Sequence, residues 1–379
     1  MMKPNRLVIF SLLTCFLMVF GTWLWAEQKS IKIGVLAPLS GERAPIGRII
    51  KNSVEMAVED LNKEGGINGA SLEVVYEDDQ DTEQGAVEAI KKLVQDPQVV
   101  AVIGELFSRF VMASKDVVEQ QGIPYLTGGT SPRTTENANW IFRVGASDNL
   151  LTNLIAQYVV EDLKLKNLAV LHDSTGIHNT RAEMVVKILQ EKYGITPLVR
   201  ESWKPGDKDF KPQLEKVKSN PVQAIIALGE TAEGGPFLKQ VKALGIQVPI
   251  VAHRDFGVKR VLEEAGEAAN GVLIVTEYIP ALQEPQRQAW TVDYQKRYGT
   301  EPNVIAAQYF DAVLLLAEAA KKGGASREGI KTGLKQLKGF PGVMADYTFD
   351  EKNNGVHRFY VARIEGGKPT LVTVLEEKD

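Results

Sequence analysis

From residue 31 onward, short apolar runs rich in Val and Ile alternate with longer stretches whose apolar side chains recur every three to four positions. The first pattern predicts strands at 31–37, 72–76, 99–103, 123–126, 168–171, 224–228, 249–252 and 272–276. The second predicts amphipathic helices at 46–62, 85–94, 111–121, 151–163, 181–192 and 235–244. Strands apolar on both faces and joined by helices belong to parallel sheets, so the chain reads as an α/β protein with right-handed crossovers. Turn chemistry marks the joints. Gly65-Gly66 and Asn68-Gly69 follow the first helix, and Gly194, Gly245 and Gly299 each follow a later one.

The N-terminus departs from this alternation. Lys3 and Arg6 precede an uncharged run from Leu7 to Phe20, and small and aromatic residues lead to Ala26 before the first acid, Glu27. That order predicts a secretory signal, residues 1–26, cut after Ala26. An uncleaved anchor over residues 7–26 is the rival reading. A lipid anchor on Cys15, the only cysteine, is disfavoured by Thr14 before it and by the apolar tail it would leave. Removing the segment leaves 353 residues without cysteine, so neither disulfide nor thiol chemistry is available to the mature chain. A chain of that length is too large for one core and suits two lobes.

Composition shifts near 142–145 and 276–280, with a third near 344–349, place the passages between lobes. Lobe 1 is then expected to hold 27–143 plus 278–345, and lobe 2 to hold 144–277 plus 346–379. The mature chain carries 42 basic and 48 acidic residues, a mild acidity that argues against nucleic acid or an anionic membrane surface as partner.

In open parallel sheets, ligands sit beyond the carboxyl ends of strands, where helix N-termini offer unpaired N–H groups. Two loops fit. After the strand 99–103 comes Gly104-Glu105-Leu106-Phe107-Ser108, with Ser108 expected as an N-cap whose hydroxyl faces the cleft and favours an anion. After the strand 123–126 comes Thr127-Gly128-Gly129-Thr130-Ser131-Pro132, where two glycines allow close backbone approach and the hydroxyls add donors and acceptors. Each alone reads as an ordinary cap or turn; together, on adjacent strands, they favour a binding site.

The segments Ile33 to Gly41, Ala57 to Gly69, Glu77 to Asp81, Gly104 to Ser108, Gly122 to Pro124, Gly129 to Pro132, Phe142-Arg143 and Ala307 to Val313 resemble the periplasmic branched-chain amino acid binding proteins of ABC importers, the leucine/isoleucine/valine type. Their order extends over nearly the whole mature chain. The resemblance implies the type I periplasmic-binding fold: two doubly wound parallel-sheet lobes joined by a multi-strand hinge. It implies a small carboxylate-bearing ligand, first of all a branched-chain or other neutral amino acid, held between closing lobes. It also implies a permease partner, a periplasmic location, a monomer, no cofactor and no enzymatic activity.

Carried over position by position, the ligand contacts fall on Ser108, Gly128, Gly129 and Thr130. The pocket departs from the family elsewhere. Ile46, Ile177 (or His178) and Glu230 stand where aromatic residues are expected, and the acid for the ligand ammonium aligns with Arg254, or with Asp255 after a one-residue slip. Glu230 or Asp255 is the first choice for an ammonium. Arg254 in the cleft would instead favour a second carboxylate, and aromatic acids, dicarboxylic acids and small amides are the other ligand classes.

His172, His178, His253 and His357 lack i, i+4 spacing and have no mature cysteine beside them, so no metal set is expected. Asp78-Asp79-Gln80-Asp81 lacks the twelve-residue calcium loop and reads as a solvated strand end. Gly-x-Ser-x-Gly is absent around Ser108, and the glycine pairs fit neither a phosphate loop nor a dinucleotide fingerprint. A sensor module for a membrane receptor is the second reading and an enzyme the third.

Overall fold

The computed structural model describes residues 30–174, 176–279 and 284–377; the export segment and Cys15 lie outside them. The first apolar runs become β1 (Ser30–Ala37), β2 (Ser71–Asp78), β3 (Val99–Gly104), β4 (Tyr125–Thr127) and β5 (Ile141–Arg143). Between them stand α1 (Ala44–Lys63), α2 (Glu83–Gln95) and α3 (Ser108–Gln121). The strands form one sheet in the order β2-β1-β3-β4-β5, with every pair parallel. α1 packs on one face with the residues of one core, whereas α2 and α3 cover the other. The loops after β1 and β3 therefore diverge to opposite faces, and the crevice between them is where such a sheet takes a ligand.

The chain continues through α4 (Asp148–Gln157), whose N-cap Ser147 accepts from the Leu150 amide, and on through one π-turn to Asp162. A second alternation follows: β6 (Leu168–Asp173), α5 (Gly176–Tyr193), β7 (Val199–Trp203), α6 (Lys211–Lys218), β8 (Ala224–Leu228), α7 (Thr231–Ala243), β9 (Ile250–His253), α8 (Lys259–Ala265) and β10 (Leu273–Thr276). It then returns to the first sheet as α9 (Pro285–Tyr298), α10 (Val304–Gly323), α11 (Arg327–Gln336) and the short pair β11 (Phe340–Pro341) and β12 (Asp346–Tyr347). Finally β13 (Arg358–Glu365) and β14 (Lys368–Glu376) add an antiparallel hairpin to β10. The second sheet runs β14-β13-β10-β9-β8-β6-β7 and is parallel except at that hairpin.

The fold is thus the expected α/β architecture with two parallel sheets. Within the two large sheets the purely parallel pattern gives way at β13 and β14, where a tight hairpin with Gly366 and Gly367 at positive φ replaces a helical crossover; the short pair β11 and β12 is antiparallel as well. One core joins residues 31–144 to 278–356, and the second sheet carries a core on each face. Among the described residues, the chain passes between the two sheets near 143–147, 276–279 and 347–357.

Arg143 ties two of these passages together. Its amide donates to the Asn353 carbonyl at 2.8 Å, and its own carbonyl accepts from the Gly355 amide at 2.9 Å. Its buried guanidinium donates to the carbonyls of Thr130 and Ser131 and to the hydroxyls of Thr134 and Thr135. The loop after β4 is therefore fixed from the passage side.

Candidate functional site

The crevice loops are built by carboxyl-end residues of the first sheet. Asp78 accepts the Leu39, Ser40 and Gln80 amides and draws the loop after β1 onto the turn after β2. Arg43 pairs with Asp81 at 2.6 Å and lies over the Phe107 ring at 4.9 Å, so the loops after β1, β2 and β3 meet. Ser108 is the first residue of α3 and not its cap, a position held by Phe107 in extended geometry. Its hydroxyl oxygen accepts the Ser131 amide at 3.0 Å, which locks α3 to the loop after β4 and leaves the O–H free to donate outward.

Gly128 and Gly129 are buried, and their amides serve the loop itself. The first donates to the Glu105 carbonyl at 3.1 Å and the second to the Thr127 hydroxyl at 3.0 Å. A side chain at Gly128 would have to displace Gln308, because a Cβ there would stand 2.2 Å from Gln308 Nε2 and 3.0 Å from Leu106. Thr130 donates its hydroxyl to Asp148 Oδ2 at 3.1 Å. Ile46 lies half-buried in the first turn of α1, against the core of the first sheet.

Carboxyl ends of the second sheet supply a charged wall. Asp173, at the end of β6, accepts from the His178 ring at 2.5 Å and from the Glu230 amide at 3.1 Å. The Glu230 carboxylate is half-exposed and stands 3.9 Å from that ring. Partial burial, reinforced by Asp255 and Asp173 and opposed by His178, pushes its carboxyl above the ordinary range. Ile177 is 41% exposed on the same first turn of α5.

His253 Nε2 accepts from Arg181 at 3.1 Å, so Nδ1 carries the ring proton toward Asp255 at 3.4 Å. Burial, with Arg181 and Arg254 adding, pushes the His253 pKa well below its ordinary value and keeps the ring neutral. Arg254 pairs with Glu277 at the end of β10, and its nearest approach to Asp255 is 3.9 Å. Burial opposes its charge, and Glu277 and Asp255 outweigh that and raise its pKa. The guanidinium is consequently committed to a carboxylate other than either neighbour considered from the sequence.

Sequence reasoning missed Asp148, Arg181, Asp173 and Glu277, which organise this wall. Arg181 Nε donates to Asp148 Oδ1 at 2.8 Å, both groups being buried. Five carboxylates (Asp148, Asp173, Glu230, Asp255, Glu277) meet two guanidiniums, Arg181 and Arg254, so acidic groups outnumber the arginines on this wall. Nothing in local spacing announces such a cluster, since Arg181 and His253 are 72 positions apart. The fold also gathers histidines that lacked helical spacing: His178 comes within ligating range of Asp173 with Glu230, and of His253 with Asp255. The solvated strand end fails at Asp79, which is fully buried.

The sequence profile of the family described as "Periplasmic binding protein" matches residues 30–368. The leucine-, isoleucine-, valine-, threonine- and alanine-binding protein of Pseudomonas aeruginosa is 31% identical over 332 residues, 86% of this chain and 87% of that protein. The branched-chain amino acid transporter substrate binding protein LivJ of Streptococcus pneumoniae, solved with isoleucine, is 28% identical with a TM-score of 0.77, covering 92% of this chain and all of that one. An ABC transporter substrate-binding protein of Sphaerobacter thermophilus superposes with a TM-score of 0.81 at 20% identity, over 92% of this chain and 98% of that one, a likeness of fold.

Proposed function

The chain belongs to the periplasmic binding protein family, and from that premise we propose that it is the solute receptor of an ABC importer for a neutral, zwitterionic amino acid. The observation that carries this reading is the opposed chemistry of the two crevice edges. The first sheet offers the Ser108 hydroxyl, the N-terminus of α3 and the close-approach loop 128–130, all suited to a carboxylate. The second sheet offers an acidic wall whose one poorly compensated, half-exposed carboxylate is Glu230. An α-ammonium takes that place, with Asp255 as the nearby second acid. Ile46 and Ile177 line the apolar end, where aliphatic side chains of the ligand are covered.

Pairing of Arg254 with Glu277 argues against a dicarboxylate, which needs an uncommitted cation at that end. In this reading the two sheets define lobes, 27–143 plus 278–345 and 144–277 plus 346–379, that close about the three passages. The ligand favours the closed form only by binding it more tightly than the open one, with both edges of the crevice engaged at once. The mature chain then works as a monomer in the periplasm, hands its cargo to a permease, and leaves the cargo chemically unchanged.

Calorimetric titration of the mature chain with leucine, isoleucine, valine, alanine and threonine tests this, with benzoate and a dicarboxylate as controls. At least one amino acid is expected to bind and to be recovered intact. Glu230→Gln should weaken it roughly 10- to 100-fold, the worth of one charge-assisted hydrogen bond. Binding of benzoate or the dicarboxylate alone would sink the reading.

A further inference from the structure

Two carboxyl groups lie beneath the carboxylate end of the crevice with almost no donor from the rest of the protein to satisfy them. Asp79 follows β2 and Glu105 follows β3; both side chains are fully buried. Among the described residues, neither oxygen of Glu105 receives an N–H or O–H donor, nor does Asp79 Oδ2, whereas Asp79 Oδ1 accepts the Asp81 amide at 2.5 Å. The two unsatisfied carboxyls are each other's side-chain neighbours, so a proton held between them would supply the hydrogen bond both lack. Glu105 sits at φ +25°, a strained value for a residue with a side chain. In that conformation its carbonyl accepts the Thr127 hydroxyl at 2.6 Å and the Gly128 amide at 3.1 Å. Its backbone is thus the anchor of the loop that carries Gly128, Gly129 and Thr130.

Two touching carboxylates cannot both stay ionised in a dry interior; one proton between them replaces repulsion with a strong acid-to-carboxylate hydrogen bond. The groups facing the pair are Asp78 at the end of β2, Asp81 from the turn after it, Arg109 from α3, Tyr125 from β4 and Tyr309 from α10. Arg109 is the one cation among them, and it already lies 3.9 Å from Asp81. Burial, then the bond to Asp79 and its charge, pushes the Glu105 carboxyl well above the usual range. Asp79 also rises through burial, but the bond from Glu105 pulls it back, so the proton resides on Glu105.

We propose that Glu105 is a positioning residue for ligand capture: held as the neutral acid, it donates to the Asp79 carboxylate and so fixes the carbonyl that anchors Thr127 and Gly128. The proposal rests on the reading of loop 128–130 as the carboxylate end. Its neutrality has a second use, since it removes one of two buried negative charges from below the place an anion must occupy.

Glu105→Gln retains an N–H that can donate to Asp79, and Glu105→Ala retains nothing. Urea unfolding of the mature chain between pH 5.5 and 7.5 tests the proton. Over that range the unfolded wild type has already lost the Glu105 proton that the folded state keeps, so unfolding releases a proton and stability falls as pH rises from the unfolded toward the folded pKa. E105Q has no such proton, and its unfolding constant should improve relative to wild type by about tenfold per pH unit. A ratio independent of pH overturns the shared proton.

Hydrogen exchange of the Gly128 and Gly129 amides tests positioning without any ligand. Protection should survive in E105Q and fall at least tenfold in E105A, with the leucine Kd following the same order; equal protection in both variants overturns it. Should E105A not fold, Asp79→Ala removes the acceptor instead and carries the same expectation. If wild type binds no amino acid, the proposed ligand fails while the pH and exchange measurements still decide the role of Glu105.

Discussion

Replacing Asp148 with alanine is the perturbation whose cost the structure defines best. The carboxylate is 5% exposed, and Arg181, its partner at 2.8 Å, is 3% exposed. Removing it strands a buried guanidinium that retains only the neutral His253 ring, and strips Thr130 of its acceptor. Breaking a buried pair from one side costs about 3–5 kcal/mol, and the lost Thr130 bond adds about 1 kcal/mol. A total of roughly 4–6 kcal/mol is a large part of the 5–15 kcal/mol typical of a folded domain. Urea denaturation followed by circular dichroism measures it. Arg181→Met should also destabilise, because it leaves Asp148 buried with only the Thr130 donor. The double variant should lose well under the sum of the two single losses, with a coupling of at least about 2 kcal/mol. A loss below about 1 kcal/mol for D148A, or strict additivity in the cycle, would refute the description of this pair as the electrostatic centre of the wall.

Two further outcomes follow from packing and helix ends. Gly128→Ala places its methyl against Gln308, which is itself wedged beside Gly145; stability should drop by roughly 1–3 kcal/mol and amino acid affinity by about tenfold or more, with Gln308→Ala restoring part of both, and unchanged affinity would remove the close-approach role. Arg327 donates to the carbonyls of Val94, Val99 and Gln121, joining the ends of α2 and α3 to the start of β3; its replacement by alanine should cost roughly 1–3 kcal/mol, and a lysine variant that fully restores stability would show that charge near the helix ends suffices without the three-pronged geometry.

Much of the fold was legible because its signals are local. β8 is found at the residues its apolar run marks, and β1, β3 and β10 end within a residue of theirs. The C-terminal third was harder. α10 is buried along most of its length, so it has no polar face to give a helical period. β14 lies at a sheet edge with Leu371, Val372 and Val374 exposed, which blurs the alternation that would have announced it. α5 begins at Gly176, five residues before its amphipathic stretch, so Ile177 and His178 stand in its first turn.

The same contrast holds in the site. Ser108 and the loop 128–130 were visible as turn residues after strands. Glu105 stood inside the motif that pointed to Ser108, yet its partner lies on another strand, and Arg254 was visible without the Glu277 that neutralises it. Charge pairing across tens of residues has no periodicity to read. Only the folded chain brings those partners together.

The return of the chain to its first sheet has a consequence for how the molecule comes into being. α1 packs against α10, whose residues lie some two hundred and fifty positions later, so the core holding β1 cannot close until nearly the whole polypeptide exists. Contacts of such long range slow folding, because a large loop must be ordered before they form. The second sheet, complete but for its hairpin by residue 276, matures first as an insert within an unfinished neighbour.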